Sequence, residues 1–357
     1  MKALIAMSGG VDSSVAALLT KEKGYDCIGC TMKLWDAEQA ESALPHPKSC
    51  CSLDDTEDAR SVAYKLGMPF YAFNYKDEFM AQVICPFASD YEHGRTPNPC
   101  IECNRFLKFG KLLRRAEELG CDKVVTGHYA RIEQDKDGRY VLKKGLDPSK
   151  DQSYVLHCLT QEQLAYILFP LGEMTKPEVR AIAAQNGFLN ANKPDSQDIC
   201  FVPDGDYAKV VERYGKGGGT EPGAFLDMDG RPIGTHRGII HYTVGQRKGL
   251  GNTWGRPVFV VAIDSAANTV TLGDHEDLFR REVSVTDFNW IAGKAPEGPI
   301  RCTAKLRYRQ AEQPAVANAA EDGRVTLVFD EPQRAPTPGQ YAVLYDGDTV
   351  LGGGRIE

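Results

Sequence analysis

With 357 residues, 42% apolar and 25% charged, the chain has the size and composition of two or three globular domains, each with its own core. No apolar run reaches the length of a membrane span, which excludes a membrane-spanning helix, and the N-terminus is expected to enter a strand rather than a signal peptide. A net charge of −7 excludes a uniformly basic nucleic-acid binder, and eleven cysteines without an export signal point to reduced thiols in a cytoplasm.

Lys2 to Ser14 reads KALIAMSGGVDSS: an apolar strand, a glycine turn, then an amphipathic helix. Gly9 and Gly10 carry no Cβ, so backbone N–H groups can approach an anion, and the helix start adds its positive dipole end. Ser8, Ser13 and Ser14 are expected to add hydroxyl donors. Val11, Val15, Leu18 and Leu19 make the apolar face behind the loop, and Gly24 stops the helix. The spacing is not that of a Walker A loop. It resembles the SGGxDSS pyrophosphate loop of ATP pyrophosphatases, enzymes that split ATP between its α and β phosphates.

Strand-like runs at Cys27–Met32, Pro69–Phe73 and Lys123–Thr126 then alternate with helical ones such as Asp54–Leu66, which has acids in its first turn and Gly67 at its end. Repeated βα units predict a doubly wound α/β fold, with a parallel sheet, helices on both faces and the ligand at the strands' C-terminal ends. The polar stretch Lys33–Lys48 reads as a long loop at that edge. Turn residues crowd Asn192–Asp206, and KGGGTEPG follows at Lys216–Gly223. From Ala224 on, strands between Gly, Asp and Pro turns (Pro257–Ile263, Thr269–Leu272, Arg301–Arg307, Val325–Phe329, Tyr341–Tyr345) predict a C-terminal β-barrel. The expected division is a nucleotide-binding catalytic domain over 1–200, a small central domain over 201–275 and the barrel over 276–357.

The second motif is RTPNPCIECNRFLKFGKLL, Arg95 to Leu113. Pro97 and Pro99 frame Asn98 and force an extended or turning backbone. Cys100 and Cys103 form a CxxC ahead of a basic helix bearing Arg105, Lys108, Lys111, Arg114 and Arg115. A thiol at a helix start beside cations ionises readily, and the thiolate is the nucleophile. A redox-inert CxxC and half of a zinc site are the competing readings. The other CxxC, Cys27 and Cys30, lies in a strand, where i and i+3 point to opposite faces and cannot share one ion. Cys200 sits in NKPDSQDICFVPDG, whose Pro, Asp, Ser and Gly place it on a mobile loop, although a lone cysteine is as readily a small core residue. Cys50, Cys51, Cys85, Cys121, Cys158 and Cys302 read as core or bystander thiols.

SGGVDSS, RTPNPxxxCN, TGHYAR, KDQSY, the Cys200 loop, HYTVGQRKGL and LRYRQ occur here in the order seen in bacterial tRNA-specific 2-thiouridylases of the MnmA type. The chain resembles that family essentially from end to end. The resemblance implies ATP-dependent replacement of oxygen by sulfur at C2 of the wobble uridine of tRNA, with Mg²⁺ accompanying ATP and a persulfide-relay protein as sulfur donor. It implies that Ala6, Met7, Ser8, Gly9, Gly10, Val11, Asp12, Ser13, Met32 and Gly127 bind ATP. Asp12 would orient the loop or help to hold Mg²⁺, Met32 would lie against adenine, and Gly127 would let ATP approach the backbone. By the same resemblance Cys200 carries the persulfide, and Cys103 is the partner nucleophile that closes a transient disulfide with it. Asn98, Pro99, Cys100, His128, Lys150, Asp151, Gln152, Arg307, Tyr308 and Gln340 would touch tRNA. Where the family usually carries Asp, this chain has Cys100. That leaves the proton-transfer role open, and it adds a third thiol with which Cys103 and Cys200 would ligate a [4Fe–4S] cluster.

The glycine loop alone also fits an amidotransferase or ligase, which gives no reason for paired thiols, or a nucleotide-responsive RNA-binding Fe–S protein. Two basic stripes favour tRNA. Arg231–Gly249 holds Arg231, Arg237, Arg247 and Lys248 without an acid, and Asn289–Gln310 holds Lys294, Arg301, Lys305, Arg307 and Arg309 against Glu297 alone. His236, His241 and Tyr242, interleaved in the first stripe, are expected to be available to stack a flipped base.

Overall fold

The computed structural model describes residues 1–35, 53–195, 199–202, 204–251 and 254–357. Most of the Lys33–Lys48 loop, with Cys50 and Cys51, lies outside the described residues. Strands β1 (Lys2–Ala6), β2 (Asp26–Lys33), β3 (Phe70–Asn74) and β4 (Lys123–Val125) precede a hairpin, β5 (Ala130–Gln134) and β6 (Tyr140–Lys144), and then β7 (Ile167–Leu168). The five strands outside the hairpin pair in parallel in the order β3-β2-β1-β4-β7.

A central parallel strand buries both faces, and its side chains alternate between two cores. Ala3 and Ile5 of β1 pack with helix α1 (Val11–Glu22) and helix α2 (Leu53–Lys65), whereas Leu4 faces the opposite layer with Ile28, Phe87 and Leu107. Cys27 joins the first core and Cys30 the second, on opposite faces as a strand requires. Burial raises the pKa of both thiols. The sheet is therefore doubly wound, as the repeated βα pattern predicts.

The strands after Ala224 fall into two sheets. The first contains β8 (Gly223–Leu226), β9 (Pro232–His236), β10 (Phe259–Asp264) and β11 (Thr269–Gly273), in the order β10-β11-β8-β9. The second contains β12 (Phe279–Trp290), β13 (Ile300–Lys305), β14 (Gln313–Ala319), β15 (Val325–Arg334), β16 (Tyr341–Asp346) and β17 (Thr349–Ile356). It runs β12-β15-β14-β13-β16-β17 and closes into a six-stranded antiparallel barrel through β12–β17 pairing. The β5–β6 hairpin extends this sheet at Lys143↔Thr349.

Further bonds seat the barrel on the nucleotide-type unit. Tyr154 Oη donates to Tyr341 O at 2.8 Å, and Asn289 Nδ2 donates to His157 O and Leu159 O at 2.7 and 2.9 Å. Gln340 Nε2 donates to Thr96 O at 2.8 Å and Pro97 O at 3.2 Å. Gly339, at φ 90°, lies so close that a Cβ would stand 2.9 Å from Thr96 N. The barrel thus braces the Arg95–Asn98 segment from behind. No helix among the described residues is long and apolar enough to cross a membrane.

Candidate active site

At the C-terminal ends of β1, β2 and β4 opens a cleft of about 690 Å³. Its floor is the glycine loop. Gly10 is the N-cap of α1 and no side chain caps that end, so the first N–H groups of the helix are left to a ligand. Gly9 adopts φ 74°, and a Cβ there would stand 2.2 Å from Asp55 O, so glycine is demanded by α2 packing as well as by the turn. Ser13 Oγ and Ser14 Oγ both donate to Gly10 O at 3.0 Å, and Ser13 Oγ also accepts from Ser8 N at 3.2 Å. Of the three hydroxyls expected as donors, Ser13 and Ser14 spend their protons holding the loop, and Ser8 is the exposed one. Asn190, nearly buried, donates to Gly9 O and Ser14 Oγ at 2.9 Å each.

Asp12 accepts from Lys176 Nζ at 2.7 and 2.8 Å and from Tyr129 Oη at 2.7 Å. Its carboxylate is held by an ammonium and a phenol, both from segments distant in the chain. Lys176, almost buried, also pairs with Asp195 at 2.7 Å, and Lys150 reaches Asp195 at 2.9 Å. Burial opposes ionisation of Asp195, but hydrogen bonds from Lys176 and Lys150 outweigh it and hold the pKa below the usual carboxylate value. Lys193 bridges Asp55 and Asp58 of α2 at 2.6 and 2.5 Å. Gly127 lines the cleft and also carries a packing constraint. A Cβ there would stand 2.8 Å from Asp12 C and Ser13 N, so glycine lets β4 pack against the loop itself.

The opposite wall carries sulfur. Asn98 Oδ1 accepts Cys100 N–H at 3.2 Å and caps the helix Pro99–Glu102. The chain continues as a π-helix over Cys103–Lys111 and returns to α geometry over Leu112–Glu118. A 3.6-residue periodicity does not foresee this wider turn, which often marks functional sites. Cys100 is exposed, Cys103 and Cys200 are half-buried, and all three line the cleft. Among the described residues no group of three or more Cys, His, Asp or Glu side chains is arranged to hold a metal ion, so the three thiols do not fit a cluster site as they stand.

Ala6, Met7, Ser8, Gly10, Val11, Asp12, Ser13, Met32 and Gly127 all line this cleft, together with Pro99, Cys100, Cys103, His128, Lys150, Gln152, Cys200 and Tyr308. Gly9, Asn98, Asp151, Arg307 and Gln340 do not line it. Asp151 takes the Gly145 and Ser153 N–H groups at 3.0 and 3.1 Å, Arg307 donates to Ala335 O and Thr337 Oγ1, and Gln340 is committed to Thr96 and Pro97. His128 is buried between Phe109 and Phe169, with Nδ1 2.7 Å from Thr126 Oγ1. Burial, aided by the charge of Lys108, holds it well below the ordinary imidazole value and neutral. Sequence reasoning missed Asn104, Tyr129, Lys176, Asn190 and Asp195 here. Asn104, Tyr129 and Asp195 stood inside the quoted motifs without a role, whereas Lys176 and Asn190 carried no local signal because their partners are distant in the chain.

The basic stripes are corrected in part. His236 and Tyr242 are buried against Phe225 and form the core of the middle sheet rather than a stacking surface. Arg231 pairs with Asp229 and Arg301 with Asp330. Arg237, Arg247 and Lys248 remain exposed, and Arg309 lines the cleft.

The chain matches three family models: a tRNA methyl transferase HUP domain over 1–204, a tRNA methyl transferase PRC-barrel domain over 211–274 and an aminomethyltransferase beta-barrel domain over 280–356. It is 52% identical to the tRNA-specific 2-thiouridylase MnmA of Acetivibrio thermocellus over 357 residues, covering 100% of this chain and 99% of that one. Its identity to the MnmA of Clostridioides difficile is 50%, over 100% and 98% of the two chains. Among solved structures, the U34-tRNA thiolase NcsA from Methanococcus maripaludis superposes with a TM-score of 0.36 at 17% identity, over 60% of this chain and 71% of that one. That likeness is too slight to carry an argument.

Proposed function

This chain belongs to the tRNA-specific 2-thiouridylase family, and we propose that it activates C2 of the wobble uridine of tRNA with ATP and replaces the oxygen there with sulfur borne by a cysteine. It is a tRNA-uridine sulfurtransferase of the PP-loop ATP pyrophosphatase type. The observation that supports this route is the single cleft in which the uncapped start of α1 faces the same space as Cys100, Cys103 and Cys200.

A uracil carbonyl is a poor electrophile because its oxygen is a poor leaving group. In our reading the C2 oxygen attacks the α-phosphorus of ATP, and pyrophosphate leaves into the α1 N-terminus and the Ser8–Ser13 loop. The base then carries AMP on that oxygen. The terminal sulfur of a Cys200 persulfide attacks C2, and AMP departs with its electron pair. The Cys103 thiolate attacks Cys200 Sγ, the S–S bond to the transferred sulfur breaks, and that electron pair forms the thiocarbonyl of the product. A Cys103–Cys200 disulfide remains for an external thiol to reduce. Mg²⁺ accompanying ATP would screen the phosphate charge, and Met32 would lie against adenine. The sulfur on Cys200 would come from a persulfide-relay protein, and the setting would be the cytoplasm.

The test is direct. The purified chain, given ATP, a persulfide donor and unmodified tRNA, should yield 2-thiouridine by mass spectrometry of the digested tRNA and tRNA-dependent release of AMP and pyrophosphate. No 2-thiouridine, with the donor proven competent, would refute the reading.

A further inference from the structure

Asn104 stands directly after Cys103 in the chain and lines the same cleft. Its side chain is almost wholly buried, at 1% exposure. Nδ2 donates to Val155 O at 2.9 Å. A carbonyl oxygen can only accept, so this bond fixes which way round the amide sits. Oδ1 is then left buried with no hydrogen-bond partner. A buried amide oxygen without a partner is costly, and in a native protein it calls for a ligand or water to satisfy it. Of the described side chains with such an orphan atom, only Asn104 lines the cleft.

The chemistry of the base matches that vacancy, on the reading given above that a uracil is thiolated here. C2 of uracil is flanked by N1, which bears the ribose, and by N3, which bears a proton. With C2 presented to the sulfur, the N3–H edge lies beside the reacting atoms and needs an acceptor on the thiol wall. We propose that Asn104 Oδ1 accepts the N3–H of the target uracil and so selects uracil over cytosine. Cytosine places a lone pair at N3, and two acceptors would then face each other in a buried site. The Val155 bond keeps the amide from turning its NH₂ toward the cytosine instead. A site built around a buried hydrogen bond rejects an analogue lacking the matching group far more strongly than an apolar pocket does.

The experiment measures the affinity of tRNA transcripts carrying uridine, cytidine or 3-methyluridine at the wobble position, for the wild-type chain and for Asn104→Ala. ATP affinity and melting temperature serve as checks on folding. The wild type should prefer uridine over both analogues by about tenfold or more, and Asn104→Ala should bind all three within about threefold. A folded Asn104→Ala that keeps the wild-type preference overturns the proposal. So does a wild type that binds the three alike, which decides the matter even if the variant does not fold. Failure of the wild type to thiolate uridine at all would instead defeat the underlying reading.

Discussion

Lys176 Nζ lies 2.7 and 2.8 Å from the two carboxylate oxygens of Asp12, and 2.7 Å from Asp195 on the segment that leads to Cys200. One buried ammonium therefore ties the glycine loop to the stretch that precedes Cys200. Lys176→Met would strip Asp12 of its ammonium, while Asp195 keeps Lys150 and Arg180. We expect a loss of about 3 kcal/mol in urea unfolding and a weaker ATP affinity, both measurable on the purified variant. Asp12→Asn, which keeps the shape and removes one charge, should cost less.

Gly127→Ala separates two reasons for a glycine at the end of β4. The added methyl would meet the backbone of Asp12 and Ser13 at 2.8 Å. The loop must shift, at a cost of about 1–3 kcal/mol. Calorimetric melting should show that cost even without nucleotide. A variant of unchanged stability that only binds ATP poorly would favour close approach of ATP as the reason.

Acid stability should report His157. This imidazole is fully buried, with Nδ1–H donating to Tyr154 O at 2.8 Å, and burial lowers its pKa to about 4. Folding depresses the value, so stability is complete above the unfolded pKa of 6.5 and is lost as pH falls from there toward 4. The loss from this group should approach about 3 kcal/mol. Urea titrations from pH 7 to 4 should show a shallower acid slope in His157→Gln.

Gln340 braces Thr96 and Pro97 from the barrel without lining the cleft. Gln340→Ala should raise the KM for tRNA several-fold, leave ATP affinity intact and cost about 1–2 kcal/mol of stability. An unchanged tRNA KM would mean that the Arg95–Asn98 segment holds its shape without the barrel.

Much of this was legible because it is local. Short apolar runs between helical segments marked the parallel sheet, Gly9 and the helix start set the loop, and opposite strand faces separated Cys27 from Cys30. Contacts between distant segments were not legible. Lys176 meets Asp12 across 164 positions, Asn190 meets Gly9 across 181, and Gln340 meets Thr96 across 244. The aromatic content of the Arg231–Gly249 stripe misled for a related reason. His236 and Tyr242 look like a stacking surface until β8 folds over them with Phe225. The π-helical stretch after Cys103 escaped because residue periodicity does not separate it from an α-helix.

If activation and sulfur delivery are separate acts in one cleft, Cys200→Ser should part them. Pyrophosphate release and 2-thiouridine would be measured together in a single turnover on unmodified tRNA, with the wild type alongside. The variant should release pyrophosphate in a tRNA-dependent way, near the wild-type extent, and form no 2-thiouridine. Thiolation at the wild-type rate by Cys200→Ser, or pyrophosphate release that ignores tRNA, would contradict this scheme.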